Sequence, residues 1–245
     1  MTSLNQAMIF AAGLGTRLKP YTDQKPKALI EIDGVPMLER IILKMKSIGI
    51  QHIVINLHHF PEQIVSFLKS KNFFDLQMLF SYETESLLET GGGLKKAAPL
   101  FNHSEPVLVH NVDVLSTLDF SKMLDYHLKN KALVTLFVQK RKSTRYFLFD
   151  KEFHLSGWKN TITGEEIKTA NTPESMEALS FCGIHILNPA IFNLITETGK
   201  FSVVPLYLRL ASKYPVFGYR DDNVSYLDIG KPESLEKAGK YFRAL

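Results

Sequence analysis

The sequence predicts an α/β fold in which helices cover both faces of a mostly parallel sheet. Short apolar runs alternate with segments of helical period along most of the chain. Hydrophobic residues make up 45% and charged residues 22%, which is typical of a folded globular protein. No repeat, low-complexity tract or linker interrupts the 245 residues. We therefore expect a single domain over residues 1–245, with a hairpin and loop inserted at about 145–176.

The first part of the chain alternates strand and helix regularly. Apolar runs predict strands at 7–12, 52–57, 76–80, 106–110 and 132–138. Between them, helical patterns cover 36–48, 61–69, 90–100 and 121–130. Pro36 and Pro61 stand at helix starts, where a missing N–H costs little, and Gly49 closes the first helix.

The pattern changes after residue 145. Residues 147–155 predict a hairpin, and the polar stretch 161–174, with Gly164 and Pro173, predicts a long loop. A further apolar run predicts a strand at 179–187. Two helices at 189–195 and 203–212, two short strands at 216–219 and 224–228, and a final helix at 233–242 complete the prediction.

Composition excludes several classes of protein. The single Cys182 excludes a disulfide framework and a zinc site built on several thiolates. No stretch approaches the roughly 18 consecutive apolar residues of a membrane span, and the first residues lack the charge of a signal peptide. We therefore expect a cytoplasmic protein without a membrane partner.

The charge balance bears on nucleic-acid binding. The net charge is +4 and the pI is near 9.0, an excess too small to predict a nucleic-acid partner. A reading as a nucleic-acid-binding protein depends on the run Lys140-Arg141-Lys142 alone. We expect no nucleic-acid partner.

A glycine turn follows the first predicted strand. Glycines let the backbone approach a ligand closely, and N–H groups exposed at such a turn attract phosphate oxygens, so Gly13 and Gly15 are candidates for phosphate binding. The alternative is a plain strand-to-helix turn. Leu18 stands where a dinucleotide fingerprint has its third glycine, and no Gly-Lys-Ser or Gly-Lys-Thr is present. Arg17 and Lys27 add positive charge beside the turn.

Several segments together resemble the sugar-1-phosphate nucleotidylyltransferases. The turn carries Ala11-Ala12-Gly13-Leu14-Gly15-Thr16-Arg17-Leu18-Lys19-Pro20, followed by Lys25-Pro26-Lys27. The other matching segments are Glu89-Thr90-Gly91-Gly92-Gly93, Asn111-Val112-Asp113 and the stretch 226–232. The resemblance implies a Rossmann-like three-layer sandwich, the nucleotide-diphospho-sugar transferase fold. It also implies an enzyme that joins a nucleoside triphosphate and a sugar 1-phosphate, giving a nucleotide sugar and pyrophosphate.

The resemblance assigns the charged residues. It makes Arg17 a contact of the leaving β and γ phosphates and Lys27 a contact of the α-phosphate or the sugar phosphate. It makes Asp113 and Asp228 the ligands of Mg²⁺. Both aspartates follow predicted strands, where ligands bind in open α/β sheets, and carboxylate oxygens suit a hard cation. A capping or surface role is the alternative for a single such aspartate. The expected reaction is in-line attack on the α-phosphorus without a protein nucleophile.

Further residues are expected to bind the nucleotide. In the family the loop meets base, ribose and phosphates, which here implies Ala11, Ala12, Gly13, Leu14, Gly15 and Thr16. Glu83 or Glu85 could accept an N–H from uracil or guanine, the alternative being an exposed loop glutamate.

The sugar side is expected to comprise Glu89, Thr90, Gly91, Gly92, Asn111, Lys159 and Gly183. Glycines 91–93 would let a ligand lie against the backbone, or would form a flexible hinge. Lys159 would lie near the sugar phosphate, and Gly183 would give the sugar room. Val112 and Lys231 depart from the family pattern, which usually has glycine and threonine there; Val112 could narrow the space beside the metal, and Lys231 could add a phosphate contact.

The segment 89–93 resembles the N-acetylmuramate 1-phosphate uridylyltransferase branch, and Ala12 in place of a glycine also favours uridylyl transfer. The substrates implied are UTP and N-acetylmuramic acid 1-phosphate. Alternatives are a guanylyltransferase for mannose or heptose 1-phosphate, a cytidylyltransferase for a small phosphorylated alcohol, and a non-catalytic relative that binds nucleotide sugars. Retention of the four charged residues Arg17, Lys27, Asp113 and Asp228 argues against the last. We expect a monomer or homodimer.

Overall fold

The computed structural model describes residues 4–170, 173, 175–230 and 232–241. Within these ranges the helices are α1 (Met37–Ser47), α2 (Pro61–Ser70), α3 (Glu89–Ala97), α4 (Phe120–Lys129), α5 (Val203–Ala211) and α6 (Pro232–Tyr241). The strands are β1 (Gln6–Phe10), β2 (Glu31–Ile32), β3 (Val35–Pro36), β4 (His52–Leu57), β5 (Gln77–Tyr82), β6 (Val107–Asn111), β7 (Val114–Ser116), β8 (Val134–Gln139), β9 (Arg145–Phe149), β10 (Leu155–Asn160), β11 (Glu166–Lys168), β12 (Glu177–Leu187), β13 (Val216–Arg220) and β14 (Tyr226–Asp228).

The main sheet has a parallel half and a mixed half. In the parallel half β5, β4, β1 and β6 lie side by side in that order. The long strand β12 runs antiparallel to β6 and connects the two halves. It also pairs with β9, which leads to β10 and β11, and with β8, which pairs in parallel with β13. The predicted α/β fold with a mixed sheet is confirmed.

The helices lie on both faces of this sheet because the strand residues alternate between two cores. Ala7 and Ile9 pack in one hydrophobic cluster with residues of α1, α2 and α4. Met8 and Phe10, on the opposite face of the same strand, pack with residues of α3 and α5. Helices on both faces of the sheet agree with the sequence patterns, and the resulting arrangement is the three-layer sandwich that the family resemblance implied.

The helices themselves follow from local sequence. In α1, Leu38, Ile41, Ile42 and Met45 recur at helical spacing and are all buried. Asp119 caps the N-terminus of α4, because its carboxylate accepts hydrogen bonds from the amides of Ser121 and Lys122 in the first turn. None of the helices in the described ranges is long and apolar enough to cross a membrane.

The structure differs from the sequence prediction at several short elements. The stretch 161–174, predicted as a loop, contains β11, an exposed edge strand that backbone pairing holds against β10. Residues 171, 172 and 174 of that stretch lie outside the described residues. The segments β2, β3 and β7 have only two or three residues, too few to show a period. The helix predicted at 189–195 is a 3-10 helix over Pro189–Leu194.

Candidate active site

The loop that follows β1 is shaped by its contacts with neighbouring strands. The Ala11 amide donates to Asn56 Oδ1 at 2.7 Å, and the Val112 amide donates to the Phe10 carbonyl at 3.1 Å. Gly15 has the left-handed φ of 66°, and a Cβ there would lie 2.8 Å from the Thr22 methyl carbon. By contrast, a Cβ on Gly13 would meet nothing within 4 Å. The turn is therefore tight at one glycine and open at the other.

A cleft of about 490 Å³ opens at the carboxyl ends of β1, β4 and β6. Its lining includes predicted site residues from four separate segments: Ala12, Gly13, Gly15, Thr16, Arg17, Lys27, Glu89, Thr90, Asn111 and Asp113. The structure thus brings the glycine turn, the start of α3 and the end of β6 to one surface. The remaining lining residues are Phe10, Asn56, Leu87, Val112, Arg145, Ser202 and Gly230.

The charged residues gather at one end of this cleft. Lys27, which is only 8% exposed, forms an ion pair through Nζ with Asp113 Oδ2. A Cβ on Gly230 would lie 2.8 Å from Arg17 Nη2 and 2.7 Å from Asp228 Oδ1, so both side chains flank that glycine. Two cations and two carboxylates therefore stand within one small region.

The two aspartates are brought together by a short antiparallel ladder. Strand β14 pairs with β7 so that Asp228 is opposite Val114, the residue after Asp113. The Ile229 amide also donates to the Asp113 carbonyl at 2.7 Å. A small hydrophobic cluster that includes Leu115 and Ile229 packs behind this ladder. Backbone pairing thus fixes the distance between residues that are far apart in the sequence.

Electrostatics at this ladder favour a cation. Asp228 lies just outside the cleft lining, beside Gly230; the residue is exposed, but the surrounding protein removes part of the hydration of its carboxylate. This desolvation, followed by the nearby Asp113 carboxylate, raises the pKa of Asp228 above its usual value, while Lys27 and Arg17 act in the opposite direction. The described cleft lining contains neither cysteine nor histidine. A pair of carboxylates with no sulfur or imidazole ligand beside it offers only oxygen ligands, and this ligand set suits Mg²⁺.

A second group of potential metal ligands lies at a different place. Asp150, Glu152 and His154 stand together on the turn between β9 and β10, outside the cleft lining. Asp150 Oδ1 accepts hydrogen bonds from the amides of Glu152 and His154, at 2.9 and 2.8 Å. This carboxylate closes the turn of the hairpin.

Comparison with known proteins places this geometry in a family. The family described as "Nucleotidyl transferase" matches residues 6–243. The chain belongs to this family. It is 38% identical over 238 residues to the N-acetylmuramate alpha-1-phosphate uridylyltransferase of Neisseria meningitidis, covering 95% of this chain and 96% of that protein. It is 29% identical over 238 residues to the D-glycero-alpha-D-manno-heptose 1-phosphate guanylyltransferase of Aneurinibacillus thermoaerophilus, covering 96% and 97%.

The fold comparison agrees. The crystal structure of HddC from Yersinia pseudotuberculosis complexed with GMP-PN superposes with a TM-score of 0.76 at 24% identity, over 98% of this chain and 100% of that one. This match confirms the predicted fold. The family match and the two relatives confirm the predicted membership of the sugar-1-phosphate nucleotidylyltransferases, which are transferases.

Glu83 of this nucleotidyltransferase does not face the cleft. It is 1% exposed, and both carboxylate oxygens are occupied by donors of the protein. Asn56 Nδ2 donates to Oε1 at 2.7 Å, and the Leu88 amide donates to Oε2 at 2.8 Å. The expected direct contact with a base is therefore corrected, since no oxygen of Glu83 is open to the cleft.

The glycines at the start of α3 are also not a ligand surface. The amides of Gly91 and Gly92 donate to the Phe201 carbonyl at 2.8 and 3.1 Å. A Cβ on Gly91 would overlap the Phe201 ring, and one on Gly92 would overlap the Gly199 carbonyl oxygen. Positions 91 and 92 are glycine because α3 packs closely on residues 199–203. The expected sugar contact of these glycines and the alternative of a flexible hinge are therefore both corrected.

Two other sugar-side expectations change in the structure. Lys159 Nζ lies 5.9 Å from the centre of the Tyr146 ring and outside the cleft lining. Gly183 has a φ of 70°, and a Cβ there would lie 2.6 Å from Asn111 Nδ2. Gly183 therefore makes room for Asn111, which does line the cleft, and not directly for a sugar.

The remaining expected nucleotide contacts lie behind or beside the cleft. Ala11 is buried and its amide is occupied by Asn56, whereas Leu14 is 42% exposed outside the lining. Val112 lines the cleft but is 96% buried, in the hydrophobic core on the α1 side. Lys231, expected as a possible phosphate contact, lies outside the described residues.

Sequence reasoning missed three polar residues that line this cleft, Arg145, Asn56 and Ser202. Arg145, at the start of β9, lines the cleft, although the basic run before it suggested nucleic acid. In that run, Arg141 donates to the Phe181 carbonyl at 2.9 Å and stacks on Tyr226, so the run is not a continuous exposed patch. Asn56 could have been found as a polar residue inside the apolar strand β4.

Proposed function

We propose that this enzyme is a Mg²⁺-dependent uridylyltransferase that converts UTP and N-acetylmuramic acid 1-phosphate to the UDP-sugar and pyrophosphate. The observation that carries the proposal is the convergence of Arg17, the Lys27–Asp113 ion pair and Asp228 beside the open turn at Gly13. The 38% identity to a uridylyltransferase of this specificity supports the choice of substrates.

The reaction follows from where the charges lie. Asp113 and Asp228 would hold Mg²⁺, which when bound neutralises phosphate charge and makes the α-phosphorus more electrophilic. Lys27 Nζ, which forms an ion pair with Asp113, would pair with an α-phosphate oxygen of the nucleotide. Arg17 lies at the exposed end of this group and would bind the β and γ phosphates.

The bond changes require no protein nucleophile. An oxygen of the sugar phosphate forms a bond to the α-phosphorus, the bond from that phosphorus to the β-phosphate oxygen breaks, and pyrophosphate leaves with the electron pair. A phosphate monoester is largely ionised at neutral pH, so no strong general base is needed. The role of the protein is alignment and charge neutralisation.

The sugar end of the cleft offers a contact for the substrate proposed. N-acetylmuramic acid differs from N-acetylglucosamine by a lactyl ether that carries a carboxylate. Arg145 is exposed and lines the cleft together with Asn111, Thr90 and Glu89. A guanidinium there would pair with the lactyl carboxylate. This contact would favour N-acetylmuramic acid 1-phosphate over the uncharged sugar.

Pyrophosphate release tests the proposal. We expect release with UTP, N-acetylmuramic acid 1-phosphate and Mg²⁺, and little with GTP and the same sugar. Release only from GTP with heptose or mannose 1-phosphate, or from CTP with a phosphorylated alcohol, would replace the substrate assignment. No release with any pair would favour a non-catalytic binding protein.

A matched pair of variants tests the metal assignment. Asp113→Asn should reduce kcat by about 100-fold or more, because it removes negative charge where the metal would bind. Asp150→Asn is the control: an asparagine oxygen can still accept the two amide hydrogen bonds, so activity should stay close to wild type. Loss in the control with retention in Asp113→Asn would move the metal site to the hairpin.

We further propose that the enzyme acts in the cytoplasm as a monomer or homodimer. The single cysteine, Cys182, is free and buried, as expected for a reducing compartment. Light scattering of the purified protein would determine the oligomeric state.

A further inference from the structure

A chain of buried hydrogen bonds connects three segments behind the cleft. The Ala11 amide donates to Asn56 Oδ1 at 2.7 Å, Asn56 Nδ2 donates to Glu83 Oε1 at 2.7 Å, and the Leu88 amide donates to Glu83 Oε2 at 2.8 Å. The exposed fractions of Asn56 and Glu83 are 3% and 1%. The three segments are the loop after β1, strand β4 and the connection from β5 to α3.

Glu83 is an unusual choice for this position. Among the described residues, no basic side chain forms an ion pair with it. Burying a carboxylate without a cation is costly, and neutral hydrogen bonds compensate only in part. A pure packing role would be filled better by an apolar residue. The carboxylate does offer two acceptor oxygens in a fixed plane, which can hold two donors from different segments at once.

Each group held by this chain is a cleft residue or the neighbour of one. Ala12, Asn56 and Leu87 line the cleft; the hydrogen bonds hold Asn56 itself and the residues next to the other two, Ala11 and Leu88. Gly93 seals the network from the helix side, because a Cβ there would lie 2.8 Å from Glu83 Oε1 and 3.0 Å from Asn56 Nδ2. A change in Glu83 would therefore alter the cleft wall without touching a ligand.

We propose that Glu83 is a positioning residue that sets the nucleobase specificity of the enzyme by fixing the distance between the loop at Ala11–Ala12 and the segment at Leu87–Leu88. This inference rests on the proposed function for placing the base of the nucleotide between these two segments. Glu83 acts through Asn56 on one wall and through the Leu88 amide on the other. A purine and a pyrimidine differ in width, so the spacing of these walls discriminates between them.

The order of donors and acceptors allows a swap experiment. Asn56→Asp places a second carboxylate against Glu83 and loses the amide donor. Glu83→Gln gives an amide that can satisfy either Asn56 or Leu88, but not both, with its single oxygen. In the double variant, the glutamine amide donates to the new aspartate while the glutamine oxygen accepts from the Leu88 amide. The double variant thus restores every bond and keeps the net charge of the network.

The measurement is binding of UTP and GTP to each variant in the presence of Mg²⁺, by calorimetry, with KM and kcat where turnover is detectable. We expect each single variant to bind UTP about tenfold more weakly or worse, with a smaller ratio of UTP to GTP affinity. The double variant should return both quantities to within about threefold of wild type. Glu62→Gln, on the exposed surface of α2, is the control and should change neither.

Several outcomes would overturn the proposal. An unchanged affinity ratio in Glu83→Gln would do so, and so would a double variant no better than the worse single variant. The ratio within one variant is independent of its folded fraction, so partial unfolding of a single variant does not obscure the result. Wild type that binds nucleotide but releases no pyrophosphate would contradict the proposed function while leaving this test intact. Wild type that binds neither nucleotide would overturn both.

Discussion

The two glycine-rich segments of the chain look alike in sequence but serve opposite purposes. At 13–15 one glycine faces open space: a Cβ on Gly13 would meet no atom within 4 Å. At 91–93 every glycine is packed, with Phe201, Gly199 and Glu83 in the place that a Cβ would occupy. The first segment leaves backbone free for a ligand, and the second allows a helix to lie against a neighbouring loop.

This difference separates two reasons for which a protein keeps glycine. An open glycine leaves space for a ligand, so its replacement should weaken ligand binding and leave the stability of the fold unchanged. A packed glycine is needed by its neighbours, so its replacement should affect stability first. Of the three predictions below, given from the largest expected effect to the smallest, the first tests the sheet behind both segments and the other two test this separation.

Both glycine-rich segments depend on the folded sheet behind them, and the stability of that sheet depends on pH. Burial lowers the pKa of His110 and of His127 to about 4, and that of His185 to about 3. The unfolded chain keeps values near 6.5, so below that pH it binds more protons than the folded state. Stability is therefore complete above pH 6.5 and decreases toward pH 4, by up to about 1.4 kcal/mol per pH unit for each histidine.

Urea unfolding at pH 7.5 and pH 5.0 would measure this decrease. His127→Gln should reduce this slope by about one proton, because it removes the titration of one buried histidine. An unfolding free energy that is flat between the two pH values would contradict the burial of neutral histidines.

Gly92→Ala tests the packed segment. The added methyl would overlap the Gly199 carbonyl oxygen, which is backbone and can move only with its loop. Overpacking of this kind costs about 3 kcal/mol, and the better helix propensity of alanine offsets about 1 kcal/mol of it. We expect a net loss of about 2 kcal/mol by urea unfolding at pH 7.5 and a higher midpoint of acid unfolding. Wild-type stability in this variant would contradict the interpretation of Gly92 as a glycine that close packing requires.

Gly13→Ala tests the open segment. Its φ is outside the left-handed region and no atom crowds the position, so stability should stay within about 0.5 kcal/mol of wild type. The methyl would project into the space where we propose that the nucleotide binds, and KM for UTP should rise about tenfold with a smaller change in kcat. Loss of stability without a change in KM would reverse the interpretation of this glycine.

Local patterns predicted the regular elements of the parallel half well. Strand β4 was predicted at its observed bounds, and α1 and α2 within one residue at each end, because their periodicity or apolar runs are clear and prolines mark the helix starts. The edge strand β11 was not predicted, since its exposed residues have no pattern of their own and depend on pairing with β10. The same limit applies to β7, whereas its partner β14 lies within the strand predicted at 224–228; their pairing, which joins Asp113 to Asp228, was not predicted.

In the candidate site, too, some features could be predicted from local sequence and others depend on long-range contacts. Arg17, Lys27, Asp113 and Asp228 could be named from motifs because charged groups next to a glycine turn or a strand end have a recognisable context. Glu83, Gly91 and Gly92 were also named, but their roles were misassigned because a motif does not show which way a side chain or an N–H points.

By itself, the sequence determined the alternation of strands and helices, the family and the set of charged residues, because each of these depends on residue types over short distances. Only the tertiary structure decided that Gly13 is open and Gly92 packed, that Glu83 holds two segments behind the cleft, and that Arg145 faces it. These properties depend on contacts between residues far apart in the chain, such as the pairing that places Asp228 beside Val114. Long-range packing determines which neighbours occupy the space around each residue, and that space separates a binding surface from a packed core.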